Sequence, residues 1–239
     1  MTKVDTISTA LIAAHQTGQR ADASKLPVPD YDEALDIQRH VQAELGPVSG
    51  FKVIERPDTR PFLGPIAVAS TVPTGGSVTV KDQIGIELEI GFELIAEPAD
   101  DMTSDPKAFF RPRLVIELVD TRLDRADDLA MLKLADMQLN AGLVVGPELT
   151  DWDGRDFGAT TAFLRCGDEQ ILDGETTVPG GSALSNLALF CANIGGHLGG
   201  LQKGQIVITG SLTGCDFFPG GIDVIGRVEG FGKISVHLV

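Results

Sequence analysis

The chain has 239 residues, 43% of them hydrophobic, and its 34 acidic residues outnumber 19 basic ones to give a formal charge of −15. That length and apolar content suffice for one large core, or a domain with a small appendage, and exclude a disordered chain. The charge disfavours nucleic acid and anionic membrane surfaces as partners, and an acidic small molecule would need a local cation to hold it.

The first residues, MTKVDTISTALIAAHQTGQR, carry polar and acidic side chains throughout and no long apolar run, so no signal peptide is read and a cytoplasmic protein is expected. Residues 4–16 read as a helix, and PDYDEALDIQRHVQAELGP as a second. In the latter Asp30 caps the start with Glu33 three residues on, Leu35, Val41 and Leu45 supply apolar positions, and Gly46-Pro47 ends it. A short strand, SGFKVI, follows. The next stretch, RPDTRPFLGPI, holds three prolines and a glycine and is expected to be an irregular link.

From Ser70 the texture changes to strands separated by Gly and Pro turns: SVTV, IGIELEIGFELIA, RLVIELVDT, GLVVGP, ATTAFLRCGDEQI, GQIVITGSL and GRVEGFGKISVHLV. Helical stretches are expected near 123–134 and 184–194. The order is not a regular βαβα alternation, so a doubly wound parallel sheet is not expected. The expected class is α+β: a mainly β, mixed-sheet domain over residues 69–239, preceded by a small helical portion and linker over residues 1–68. No run approaches the roughly 18 apolar residues of a membrane helix.

Within IELEIGFEL, residues 86–94, Glu87 and Glu89 share one face and Ile86, Leu88 and Ile90 the other. Alone, this is what a sheet with one wet face looks like. Glu117 changes the balance. Its own face carries Val115 and Val119, the opposite face Leu114, Ile116 and Leu118, and a strand apolar on both faces is buried on both. A lone carboxylate there keeps its proton or needs a cation. Three carboxylates from two neighbouring strands around one hard dication meet that need, and an all-oxygen set favours Mg²⁺, Mn²⁺ or Ca²⁺ over Zn²⁺.

No rival centre emerges. His15 and His40 read as helix-surface residues, His197 lies near a helix end and His237 on the last strand. Cys166, Cys191 and Cys215 are widely spaced, without a CxxC, and read as reduced, mostly buried thiols. No strand–GxGxxG–helix layout occurs.

Taken in order, YDEALDIQRHVQ, GFKV, GIELEIGFEL, LVIELVDTR, NAGLVVGP, GQIVITGSL and VEGFGKISV resemble the 2-keto-4-pentenoate hydratase and 4-oxalocrotonate decarboxylase family of the fumarylacetoacetate hydrolase superfamily. The resemblance implies a mixed β-sheet roll and a divalent metal, Mg²⁺ or Mn²⁺, on Glu87, Glu89 and Glu117. It places Lys52, from the G-[FY]-K motif, beside the substrate as acid or base, with a pKa expected to be depressed by desolvation next to the metal. Asp120 and Arg122, in ELVDTR, are implied to support the site. Asp136 and Asn140 fall where the family has residues near the substrate, although the spacing is one residue shorter and Leu139 replaces a second aspartate. Thr209 with the Gly210 N–H reads either as a substrate-carboxylate contact or as a strand-end turn.

The implied activity is hydration of a 2-hydroxy-2,4-dienoate such as 2-hydroxypenta-2,4-dienoate, in the degradation of aromatic compounds. Decarboxylation, C–C hydrolysis of an acylpyruvate, and a catalytically silent partner of an active homologue stay open. The implied partners are a small anionic 2-keto acid, further copies of the chain, and a related decarboxylase or hydratase. Two departures bear on the reaction: Ala67, Val68 and Ala69 stand where an acidic residue is common, and GGSALSN replaces the usual G-H-P.

Overall fold

The computed structural model describes residues 2–57 and 59–239. Both N-terminal helices start at reciprocal caps. In α1 (Lys3–Thr17) Thr2 and Asp5 exchange side chain-to-backbone hydrogen bonds, and β1 (Ala21–Asp22) follows. In α2 (Tyr31–Leu45) Asp30 and Glu33 do the same, as their spacing predicts. Ile7 and Leu11 of α1 and Ala34, Ile37 and Val41 of α2 are fully buried in one cluster that leans on the main body.

The strands come next: β2 (Val48–Ile54), β3 (Phe62–Ala67), β4 (Thr71–Pro73), β5 (Ser77–Val78) and the long β6 (Ile84–Leu94). A single turn, α3 (Pro106–Phe109), leads into β7 (Phe110–Val119), then β8 (Leu123–Asp124), α4 (Ala130–Ala135) and β9 (Asn140–Glu148). The hairpin β10 (Ala159–Cys166) and β11 (Glu169–Thr177) precedes α5 (Ala183–Ile194), and the chain ends with β12 (Ile206–Ser211), β13 (Asp216–Phe218), β14 (Ile222–Val228) and β15 (Gly232–Leu238).

Eight strands form one mixed sheet in the order β3-β2-β12-β6-β7-β9-β4, with β13 also paired to β6. Five more form a second sheet, β11-β10-β14-β15-β5. The principal core lies between them, where Leu88, Ile90, Phe92, Leu114 and Ile116 meet Leu164, Val224, Ile234 and Val236. The other face of the large sheet is apolar too: Ile66, Val115, Leu143, Ile206 and Ile208 make a separate cluster. Two buried faces explain the near-continuous apolar run of β7. The sheet rolls upon itself so far that edge strand β3 packs on the turn leading into β9. A Cβ on Gly64 would lie 2.5 Å from the Met137 carbonyl oxygen, so only glycine fits that approach. This is the α+β mixed-sheet roll that the sequence predicts.

Three local expectations are corrected. The stretch expected to be irregular contains β3. Pro65 is compatible with a strand there because β3 is an edge and pairs on one side, with β2. Helix is expected near 123–134, but only Ala130–Ala135 is α-helical, and Leu123–Asp124 pairs in parallel with Ala21–Asp22. The run ATTAFLRCGDEQI splits into the β10–β11 hairpin, turning at Gly167 with φ +58°. Strands β2 and β3, which precede residue 69, hydrogen-bond into the large sheet.

Candidate metal centre

Strands β6 and β7 are antiparallel with Glu87 directly opposite Glu117. Such opposed side chains lie about 5 Å apart at Cβ, and Glu89, two residues along, points the same way. The curvature of the sheet turns this face inward. Glu117 is fully buried, Glu89 is 2% exposed and Glu87 half-buried. One carboxylate oxygen from each of the three lies within 4.8 Å of the other two.

Lys52 on β2 is separated from β7 by β12 and β6. In a flat sheet three strand spacings amount to about 14 Å, yet its Nζ lies 2.6 Å from Glu117 Oε1 because the roll brings the strands around a common mouth. The Asn140 amide also donates to Glu117 Oε1, at 2.8 Å. Glu117 Oε2 is buried and has no hydrogen-bond partner among the described residues. The Gly210 N–H donates to Glu89 Oε2 at 2.7 Å. Gly210 sits at a register break in the β12–β6 pairing with φ +110°, a conformation that needs glycine.

Burial, then the neighbouring Glu117 charge, pushes the Glu87 carboxyl up to about 7 against the opposing pull of Lys52. Burial together with Glu117 and Glu87 raises Glu89 well above the usual carboxylate range. For Lys52, burial works to lower the pKa, but Glu117, Glu87 and Glu89 outweigh it and the net direction is up. With the carboxylates alone as neighbours, a cation ringed by them holds its proton; the expected depression belongs to Lys52 beside a metal.

These residues fit a hard dication. Three carboxylates against one ammonium leave two negative charges uncompensated when all are ionised. The orphaned Glu117 oxygen is a buried acceptor awaiting a cation, and the donor set is all oxygen. The carboxylates and Lys52 open into a cavity of about 450 Å³ whose further walls include Ile54, Ile208, Pro179 and Asn186.

The remaining predicted residues divide. Thr209 lines this cavity, and its hydroxyl donates to the Ile90 carbonyl at 2.8 Å. Gly210 likewise commits its N–H to Glu89. Asp136 is fully buried outside the cavity and is bound by Arg122 Nε at 2.6 Å, the Arg122 N–H and the Thr121 hydroxyl. Burial raises the Asp136 pKa, with Arg122 opposing. Asp136 is thus a structural counter-ion, not a substrate contact. Arg122 also donates to the carbonyls of Asp136 and Asn140, each at 2.8 Å, bracketing Met137, Gln138 and Leu139, all three in the left-handed region. Asp120 pairs with Arg20 at 2.7 Å. It faces a different recess, of about 500 Å³ beside α1, shared with Ala67, His15 and Asn140. The larger recess lacks the carboxylate cluster, so the smaller one is the candidate site.

Two cavity residues carry no sequence signal of their own: Asn186, whose amide donates to the carbonyls of Pro179 and Thr209, and Glu55 at the exposed rim. The histidines stay outside the carboxylate cluster; His197 is held between Arg39 and Gln38, and His237 meets Asp223. All three cysteines are free thiols; Cys166 is buried, Cys191 half-buried and Cys215 exposed.

No protein-family profile matches the chain, and no curated protein matches it. Solved structures do. The chain is similar to 4-oxalocrotonate decarboxylase from Pseudomonas putida G7 complexed with magnesium and adipate, at 20% identity and TM-score 0.78, with 99% of this chain and 97% of that chain covered. The same enzyme complexed with calcium and acetate gives 19% identity and TM-score 0.75 over the same shares. Fumarylpyruvate hydrolase from Pseudomonas aeruginosa, in complex with Mn²⁺ and pyruvate, is 16% identical with TM-score 0.56, covering 79% of this chain and 88% of that one. At such identities the likeness establishes the fold, and it agrees with the superfamily resemblance of the sequence.

Proposed function

We propose that the protein is a divalent-metal-dependent enzyme acting on a small 2-oxo acid, and specifically a hydratase of a 2-hydroxy-2,4-dienoate such as 2-hydroxypenta-2,4-dienoate. The observation that carries the reading is the convergence of Glu87, Glu89 and Glu117 at a cavity mouth, with one buried carboxylate oxygen left without a partner. The similar structures support it, since their described ligands are Mg²⁺, Ca²⁺ or Mn²⁺ together with small carboxylic acids.

Glu87, Glu89 and Glu117 would hold Mg²⁺ or Mn²⁺, which supplies Lewis acidity toward the carboxylate and 2-oxo oxygens of a chelating substrate. The chain's own groups do the rest. Asn140 and Lys52 fix Glu117 through Oε1 and leave Oε2 free. The Gly210 N–H fixes Glu89. Lys52, buried with its Nζ against Glu117, would deliver a proton at the substrate carbon chain and receive one back. Ile54, Ile208 and Pro179 give the cavity apolar walls against which the carbon chain of the substrate would lie.

The second reading is a 4-oxalocrotonate-type decarboxylase, favoured by the 0.78 TM-score to that enzyme. The deciding experiment incubates the protein and Mg²⁺ or Mn²⁺ with 2-hydroxypenta-2,4-dienoate and, separately, with 2-oxo-3-hexenedioate. Loss of dienol absorbance with a hydrated product supports the hydratase, and CO₂ release from the diacid supports the decarboxylase. Metal binding without turnover of either refutes both and leaves an acylpyruvate C–C hydrolase or a silent partner.

A further inference from the structure

The neutral side-chain donors around the cavity, and the Gly210 N–H, are already committed. The Asn186 amide donates to the carbonyls of Pro179 and Thr209, both at 2.9 Å, the Thr209 hydroxyl to Ile90, the Gly210 N–H to Glu89 and the Ser211 hydroxyl to Gly214 at 2.7 Å. Lys52 is the one basic residue among the described residues lining the cavity, and it belongs to the carboxylate cluster. Among the lining side chains, what remains free at the mouth is acceptor character. A Cβ placed on Gly180 would lie 3.9 Å from both Asn186 Oδ1 and Glu55 Oε2, so two oxygens converge on one point of the rim. Glu55 is exposed and forms no ion pair with any described residue.

The charge count adds to this. A dication cancels the surplus of the three carboxylates over Lys52, and the 2-oxo carboxylate of a substrate then makes the inner site an anion. A second carboxylate on the substrate tail would face Glu55, with no cation and no uncommitted side-chain donor among the lining residues to compensate its desolvation. An uncharged tail meets Ile54, Ile208 and Pro179 instead, and a tail hydroxyl could donate to Asn186 Oδ1 or Glu55.

We infer that the site selects 2-oxo acids with a single carboxylate and an uncharged tail, and that Glu55 turns dicarboxylates away. This rests on the metal-chelated 2-oxo acid reading above. The test is calorimetric titration of the Mg²⁺-loaded protein with two unreactive five-carbon probes, 2-oxopentanoate and 2-oxoglutarate, which differ by the distal carboxylate. The monoacid should bind at least about tenfold tighter, equivalent to about 1.4 kcal/mol. Glu55→Lys, a surface change, should narrow or invert that ratio. Equal or tighter binding of 2-oxoglutarate by the unaltered protein overturns the selectivity and leaves the proposed function standing. An unchanged ratio in Glu55→Lys overturns the role given to Glu55. If Mg²⁺ binds but neither probe does, the chelation reading fails and this one with it.

Discussion

Replacing Glu117 by Gln keeps the shape of the side chain and removes one charge from the centre of the cluster. Glu117 is fully buried, accepts from both Lys52 and Asn140 through Oε1, and presents the orphaned Oε2. The amide can still accept at one oxygen, but its NH₂ group puts a donor where a dication would sit. Loss of groups that merely orient a metal ligand weakens binding by about 10- to 100-fold, so loss of a ligand charge should reach at least the upper figure. With Mg²⁺ at about 100 times the dissociation constant of the unaltered protein, bound metal adds about 2.7 kcal/mol of stability. For a chain of this size that corresponds to a rise of about 5–11 °C in Tm. At the same concentration a variant weakened about 100-fold gains only about 0.4 kcal/mol, or roughly 1 °C. The assay is thermal unfolding followed by circular dichroism, each protein against its own metal-free form, so differences in apo stability drop out. A Glu117→Gln variant that keeps a Mg²⁺-dependent rise of about 5 °C or more would refute the assignment.

Three further outcomes follow from the same geometry. Lys52→Met should lower kcat by at least about 100-fold while binding Mn²⁺ as tightly or more tightly, since a positive charge leaves the dication's surroundings; parallel turnover and Mn²⁺ electron paramagnetic resonance titrations check this. Glu87 has a folded pKa of about 7 against an ordinary value of 4.5, so across that window the native state holds a proton that the unfolded chain has lost. The metal-free protein should therefore lose stability as pH rises from about 4.5 to about 7, and Mg²⁺ binding should expel more protons at pH 6 than at pH 8, read by calorimetry in buffers of different ionisation enthalpy. Arg122→Met leaves the fully buried Asp136 without its counter-ion and should cost about 3–5 kcal/mol in urea unfolding; a loss under about 1 kcal/mol would contradict that account.

How far the sequence could be read depended on the range of the interaction. Glu117 was legible because β7 is apolar on both faces, whereas the direction of Glu87 and Glu89 could not be settled from β6 alone and required its neighbour. The caps at Asp30 and Glu33 are local and were legible in full. Strand β3 was hidden because Pro65 reads as a breaker unless one knows that the strand is an edge. The segment after residue 122 was misread because Leu123 pairs with Ala21, a contact about a hundred residues back that leaves no periodicity. The Asn140 contact to Glu117 depends on a left-handed turn made of Met, Gln and Leu, none of which signals that conformation. Thr209 and Gly210 stayed open between a substrate contact and a strand-end turn because strand-level reading does not count the acceptors already facing them.

That turn has a genetic consequence. Three consecutive residues with side chains in left-handed geometry carry a conformational penalty of about 1–2 kcal/mol each, and one guanidinium grips the carbonyls at both ends. When the grip is lost, the remedy lies in the backbone it was restraining. Suppressors of Arg122→Met should therefore appear as glycines at Gln138 or Leu139, and not at Met137, whose side chain is part of the core, recovering part of the lost stability without restoring a single ionic contact.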